Sequence, residues 1–314
     1  MILIPEILTL LILNTIFAFF AVIAFYLSAK IARGYDKDST SKSQYKLERQ
    51  SYLAATIIKY IFAIKIPLFL FFIFTLDKLS GSISGAMCAA GVVDATDYGA
   101  SLLVLKILNL YLFAFWIVLH NEDSKDENQP YIREKFAFYC LIFFLFVGEI
   151  VLEFVMFDAI DVKSVVDCCG VIYSSSSGSY FSILLNINHG ILLTLFYALF
   201  GLMLLFYRLK NRYAYALVNL FFIIVALITL ISFFGTYIYE LPTHKCPFCF
   251  LQKEYNYIGY FLYAFLFLGT FYGLTLAFKA RDEAYRISLF FNFVYLAGVS
   301  AYPALYYLKN GVWL

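Results

Sequence analysis

His244-Lys245-Cys246-Pro247-Phe248-Cys249 gathers more reactive side chains than any other short stretch of this sequence. Two cysteines separated by two residues can close a small disulfide ring. A helix starting at the first cysteine would lower its pKa and make it the nucleophile, and the positive charge of Lys245 and His244 works in the same direction. A second cluster is Asp167-Cys168-Cys169-Gly170. Adjacent cysteines can form a strained vicinal disulfide, bridge to two different partners, or offer two thiolates to a soft metal. The third is Met87-Cys88, inside a Gly- and Ala-rich segment, where a thioether and a thiol side by side suit Cu(I).

The proline between Cys246 and Cys249 resembles the CPxC active sites of the glutaredoxin and thioredoxin superfamily, which sit on a soluble α/β fold. The motif is closer in setting to membrane thiol oxidoreductases of the DsbB and vitamin K epoxide reductase kind, which place a CxxC at the outer end of a helix beside a quinone. The resemblance covers four to six residues and not the four-helix organisation of those enzymes. It implies thiol–disulfide exchange at Cys246 and Cys249, with a quinone as the electron partner. The vicinal Cys168-Cys169 pair is similar to that of membrane mercuric-ion carriers, whose cysteines lie in a helix. Covalent c-type haem is excluded, because Phe250 rather than His follows Cys249. Structural zinc needs four ligands. His244, Cys246 and Cys249 supply three, and Cys88 or Cys168 could complete the set.

A second group of candidates is ionisable and lies within apolar stretches. A charge at mid-membrane costs roughly 2.5–3.5 kcal/mol or more, so such residues face a bundle interior or water. Lys65 falls near the middle of its stretch. Glu149 and Glu153 fall about 3 and 9 Å outward of the middle of theirs, on one helix face at i,i+4 spacing. Lys106 and His189, the latter beside Asn186 and Asn188, each fall about 7 Å outward. One reading is a polar pocket that carries protons or holds a quinone headgroup at His189, Glu149, Glu153, Lys65 and Lys106. The other is structural, with Lys65–Glu149 and Lys106–Glu153 pairs holding helices in register. Buried ion pairs alone do not decide between them.

These residues must be held by transmembrane helices. The 314-residue chain is 63% hydrophobic, 21% aromatic and 14% charged, with mean hydropathy +0.82. Soluble domains are about half apolar and about a quarter charged, so lipid must cover part of this surface. A cytoplasmic globular enzyme, a nucleic-acid-binding domain and a disordered protein are all excluded. Eight stretches are long and apolar enough to span: about 4–29, 53–77, 101–120, 136–158, 181–207, 214–238, 256–278 and 287–308. The expected fold is a single all-α polytopic domain over 1–314. The first stretch lacks the basic leader and cleavage pattern of a signal peptide and is expected to be a retained helix.

The connections alternate in charge. Segments 30–52, 121–135, 208–213 and 279–286 hold fifteen of the 23 basic residues; the opposite set with the C-terminal end holds five. The positive-inside rule places the first set in the cytoplasm and both termini outside. The charge-rich stretch 121–135 is expected to be a solvated turn. No Walker loop and no G-x-G-x-x-G occurs. The cysteines at 88, 168 and 246 recur about 80 residues apart. Their loops do not resemble one another, so the pitch of a helix–loop–helix unit explains the interval. Cys140, among Phe and Tyr, reads as packing.

Abundant Lys, Ile, Phe and Tyr suggest an AT-rich bacterial gene, hence an inner-membrane protein with its cysteine loops in the periplasm. Three functions remain open. The first is thiol–disulfide exchange coupled to a membrane quinone, with a periplasmic thiol protein as partner. The second is handling of copper, zinc or mercury at Cys88, Cys168, Cys169, Cys246, Cys249 and His244, with a metal chaperone as partner. The third is a non-catalytic subunit of a membrane complex, stapled by disulfides. The three cysteine loops are expected to converge, with Cys88 bridged to Cys168 or Cys169.

Overall fold

The computed structural model describes residues 4–36, 39, 41–126, 129–161, 166, 187–279 and 281–314. Among the described residues the regular structure is helical and contains no strand. The helices are α1 Pro5–Gly34, α2 Lys42–Ser80, α3 Ala89–Asp94, α4 Gly99–Asp123, α5 Ile132–Ala159, α6 His189–Arg208, α7 Arg212–Thr229, α8 Gly235–Tyr239, α9 Ile258–Thr275 and α10 Asp282–Asn310. A π-helical turn, Leu230–Phe234, carries α7 into α8, so Arg212–Tyr239 runs as one span. Eight described helices are then long and apolar enough to cross a bilayer.

Their ends depart from the hydropathy reading where polar residues continue a helix. Helix α2 begins at Lys42, where the Ser41 hydroxyl accepts from the Gln44 N–H and caps it. Its 39 residues measure about 58 Å at 1.5 Å each, against about 30 Å of hydrocarbon. The first turns, with Lys42, Lys46 and Arg49, therefore extend beyond the apolar layer. Segment 30–52, expected as a connection, is largely helix. Hydropathy reports where lipid lies, not where the i→i+4 ladder stops. In the fifth span the described helix starts at His189, capped by Asn188, whose side chain accepts from the Gly190 N–H at 2.8 Å.

The chain divides into two compact units, Met1–Ser84 with Val92–Ser164, and Gly85–Gly91 with Val165–Leu314. In the first, α1 packs on α2 and α5, and α4 packs on α2 and α5, which closes a ring of four helices. Small residues on α1, Ala21 and Ala24, are fully buried in its core. Around them Phe62 stacks on Phe113 with ring centres 4.3 Å apart and meets Trp116 edge-on. Buried polar tips find partners: Tyr139 Oη donates to the Ala21 carbonyl at 3.0 Å, and Trp116 Nε1 to the Lys135 carbonyl at 2.9 Å.

The stretch 121–135 is not wholly the solvated turn expected of it. Asp123 and Lys135 are buried as an ion pair. Asp123 Oδ1 also accepts from the Tyr131 N–H at 2.8 Å. One carboxylate thus closes the α4–α5 turn, while Lys125 remains exposed beside Glu122.

In the second unit α6 packs on α7, α7 on α9, and α9 on α10, which returns to α6 and to the π turn. The Gly269–Gly273 pair of α9 lets neighbours approach closely. A Cβ on Gly269 would lie 2.3 Å from Asn292 Oδ1, and one on Gly273 2.4 Å from Asn219 Cγ. The small-xxx-small face is therefore used within the unit. Both units leave large apolar side chains on the outside, Phe19 and Phe144 in the first and Phe261 and Phe290 in the second. That is the surface lipid must cover.

Candidate functional site

Cys88, Cys246 and Cys249 come together in the second unit. Their sulfur atoms all lie within 4.8 Å of one another. Cys88 Sγ is 3.5 Å from Cys246 Sγ across 158 residues of chain. A disulfide would require about 2.05 Å, so this is a contact between thiols. The three residues are 0%, 1% and 6% exposed, respectively.

Backbone constraints bring them there. Gly85, just before Cys88, has φ +89°, and a Cβ on it would lie 2.3 Å from the Val166 carbonyl oxygen. Only glycine suits both demands. On the other side, the span Arg212–Tyr239 ends where Glu240 takes a left-handed conformation. Tyr239 then organises the cysteine loop: its hydroxyl donates to the Cys246 carbonyl and accepts from the Phe250 N–H at 3.1 Å. Its ring stacks on Phe250 at 5.8 Å. Tyr263 Oη, from α9, holds the Pro247 carbonyl at 2.7 Å. Gly259 leaves room for the Phe250 ring, which a Cβ would meet at 2.4 Å. Gln252 Nε2 donates to the Met87 carbonyl at 3.3 Å, tying the two cysteine segments together.

The local chemistry corrects two expectations. No helix starts at Cys246: a short 3₁₀ turn begins at Cys249, and the next long helix begins at Ile258. The Cys246 sulfur instead receives one backbone donor, the Phe248 N–H at 3.4 Å. His244 is not part of the sulfur cluster. Its ring meets Tyr239 edge-on at 4.4 Å, and its buried Nε2 has no hydrogen-bond partner among the described residues. Cys168 and Cys169 lie outside the described residues, and with them the expected bridge to Cys88. Cys140 is a half-buried thiol of α5.

The ionisable residues of the spans form a separate cluster in the first unit. Lys65 Nζ donates to Glu149 Oε1 at 2.8 Å, and Lys106 Nζ donates to the same oxygen at 2.9 Å and to Glu153 Oε2 at 2.6 Å. Both pairings read from the sequence are present, with Lys106–Glu149 in addition. All four residues are buried. Two asparagines missed in the sequence complete the cluster. Asn14 Oδ1 accepts from Lys65 at 3.0 Å, and Asn109 Nδ2 donates to Glu149 Oε2 at 2.7 Å. Each of the four helices thus contributes. An asparagine carries no charge that demands an ionic partner, so nothing in the sequence tied these two to the Lys–Glu cluster.

The cavity against these charges offers about 10 Å³ to a water, the smallest space that holds one molecule. His189 does not share the buried depth expected of it. It is exposed at the first residue of α6 in the second unit, edge-on to Phe233 at 5.7 Å.

No family model, no curated protein and no solved structure matches this chain. The class defined by fold and site is therefore a multi-pass helical membrane protein with a buried three-cysteine cluster.

Proposed function

We propose that this protein handles a soft metal ion at Cys88, Cys246 and Cys249, with Cu(I) as the best-matched cargo. The carrying observation is three buried sulfurs within 4.8 Å of one another. Thiolates bound at about 2.3 Å to one ion stand roughly 3.8–4.0 Å apart in tetrahedral or trigonal geometry. The 3.5 Å contact and the 4.8 Å envelope bracket that spacing. Soft thiolates select Cu(I) over hard cations. Burial of all three sulfurs argues against direct attack on a partner protein's disulfide and suits an ion that is passed inward. The bias of fifteen basic residues to five supports a topology with both termini and the cysteine end on the side opposite the cytoplasm, which in the bacterial inner membrane suggested by the Lys-, Ile-, Phe- and Tyr-rich composition is the periplasm. A periplasmic metal carrier would then be the donor or acceptor.

A second reading has its own support. Cys246 is shared: it touches Cys88 and forms the CPFC pair with Cys249. Either pair could lose two electrons and two protons to a membrane quinone and become a disulfide, which the third thiol, as thiolate, would then attack. Anaerobic purification of the whole chain in detergent, loading with Cu(I), and alkylation mapped by mass spectrometry separate the two. The metal reading expects about one ion per chain, shielding Cys88, Cys246 and Cys249 from alkylation, and loss of that ion in Cys88→Ser. A metal-free protein in which Cys246 exchanges disulfide partners with the redox buffer would replace it with the second reading.

A further inference from the structure

In the first unit every carboxylate oxygen of the Lys–Glu cluster but one is engaged among the described residues, while the Oδ1 of Asn109 and the Nδ2 of Asn14 beside it are also buried with no partner there. Glu149 is fully engaged: Oε1 accepts from Lys65 and Lys106, and Oε2 from Asn109. Glu153 uses only Oε2, toward Lys106; its Oε1 is buried with no hydrogen-bond partner among the described residues. Glu153 itself is 0% exposed, and it lines the cavity, whose volume of about 10 Å³ gives room for about one water. Buried polar atoms are normally satisfied, and one that is not calls for an explanation such as a water, an ion or a proton.

We propose that Glu153 is a proton-binding site, taking a proton on Oε1 from a water in the adjoining cavity. This concerns the first unit only and does not rest on the metal reading. The stereochemistry selects Glu153 over its neighbour. A proton added to either oxygen of Glu149 would point at an N–H donor already there. A proton on Glu153 Oε1 meets none, and its Oε2 can keep the bond to Lys106. The charged groups facing the site are Lys65 from α2, Lys106 from α4 and Glu149 from α5; α1 contributes the neutral Asn14. Two ammonium groups and two carboxylates sum to zero. In the step, hydronium in the cavity gives its proton to the Glu153 carboxylate and becomes water, and the cluster gains one positive charge. The exchange needs no oxidant or cofactor. It equips the unit to bind and release single protons within the apolar layer, as proton-coupled membrane proteins require.

The test is labelling of the intact wild-type chain in detergent with dicyclohexylcarbodiimide across a pH series, with adducts located by mass spectrometry. The reagent requires a protonated carboxyl in an apolar site: the acid O–H adds across its C=N bond, oxygen to carbon and proton to nitrogen. The expected result is an adduct on Glu153 that increases about tenfold for each unit the pH falls, until it saturates, with Glu149 unlabelled. Prior occupation of the cysteines by Cu(I) should leave this labelling unchanged. Glu153→Gln should abolish it, and Glu153→Asp should retain it in part. No adduct at any pH, equal labelling of Glu149, or an adduct independent of pH would each overturn the proposal. Because the decisive measurement is on the wild type, a variant that fails to fold leaves the answer intact.

Discussion

The first unit joins its helices through Lys65, Lys106, Glu149 and Glu153, whereas the second joins its helices through Asn219, Ser288 and Asn292. In the second, Asn292 Nδ2 donates to Asn219 Oδ1 at 3.1 Å and to Ser288 Oγ at 3.3 Å. Ser288 Oγ donates to the Gly269 carbonyl at 2.7 Å and accepts from Tyr215 Oη at 3.0 Å. Both networks are buried. Long lysine side chains span a gap between helices, so the charged network needs no small residues. Short amides require backbones to come close, and Gly269 and Gly273 provide that. The charged network must also balance. Removing one member strands a buried charge, while removing an amide loses only hydrogen bonds and contacts.

The largest effect should follow from Glu149→Leu. It deprives Lys65 of its carboxylate and leaves two ammonium groups facing the single carboxylate of Glu153. Breaking a buried pair in this way costs about 3–5 kcal/mol. Thermal unfolding in detergent should show a marked fall in midpoint or no folded protein. Replacing Lys65 and Glu149 together by leucine restores charge balance, and should recover much of the loss. A double variant no better than Glu149→Leu would show that the network matters by shape rather than by charge.

The two networks also differ in how far the sequence reveals them. A lysine in an apolar run costs so much that it must be paired, and depth alone matched Lys65 to Glu149 and Lys106 to Glu153. Asn219 and Asn292 carry no charge, so they need a hydrogen-bond partner but no particular counter-ion, and the sequence does not say which. The Gly269–Gly273 face was legible as a packing surface, but not what packs on it. The cysteine centre was half legible: CPFC marks itself, and Cys88 was expected nearby because its loop is short and anchored by a helix at each end. Their 3.5 Å contact depends on Gly85 and Tyr239, whose roles appear only once the chain is folded. The fifth span was expected from 181; its described helix starts at His189, after the non-helical Ile187 and Asn188, and residues 181–186 lie outside the described residues.

The glycines rank next. Gly269→Ala puts a methyl 2.8 Å from the Asn292 backbone nitrogen as well as 2.3 Å from its side chain, whereas the three atoms nearest a methyl at Gly273 all belong to the Asn219 side-chain amide. A side chain can turn aside and a helix backbone cannot. Overpacking costs about 1–3 kcal/mol, with Gly269→Ala at the upper end and Gly273→Ala at the lower. Unfolding midpoints in the reverse order would mean the helices separate more easily than the side chains rotate.

Below these stands Asn292→Ala. It removes the donor shared by Asn219 and Ser288, and interhelical hydrogen bonds in membranes average about 0.6 kcal/mol with a maximum near 1.7. The expected loss is of that size. A loss equal to that of Glu149→Leu would erase the distinction between neutral and charged networks.

The smallest effect should come from an ion pair that matches the buried ones in distance but not in setting. Lys210 Nζ lies 2.6 Å from Asp282 Oδ1, and both side chains are well exposed. The ammonium also lies over the rings of Tyr207 and Tyr285. The hydrogen bond to Asp282 holds the Lys210 pKa above the ordinary lysine value. A raised folded value gives a stabilisation present at neutral pH and lost only as pH rises through it. Water screens such a pair almost completely. Lys210→Gln should therefore unfold at the wild-type midpoint at neutral pH, and salt should change neither protein relative to the other. If Lys210→Gln instead falls as far as Glu149→Leu, then ion-pair geometry rather than burial sets the cost. The contrast between the two units would then reflect charge alone.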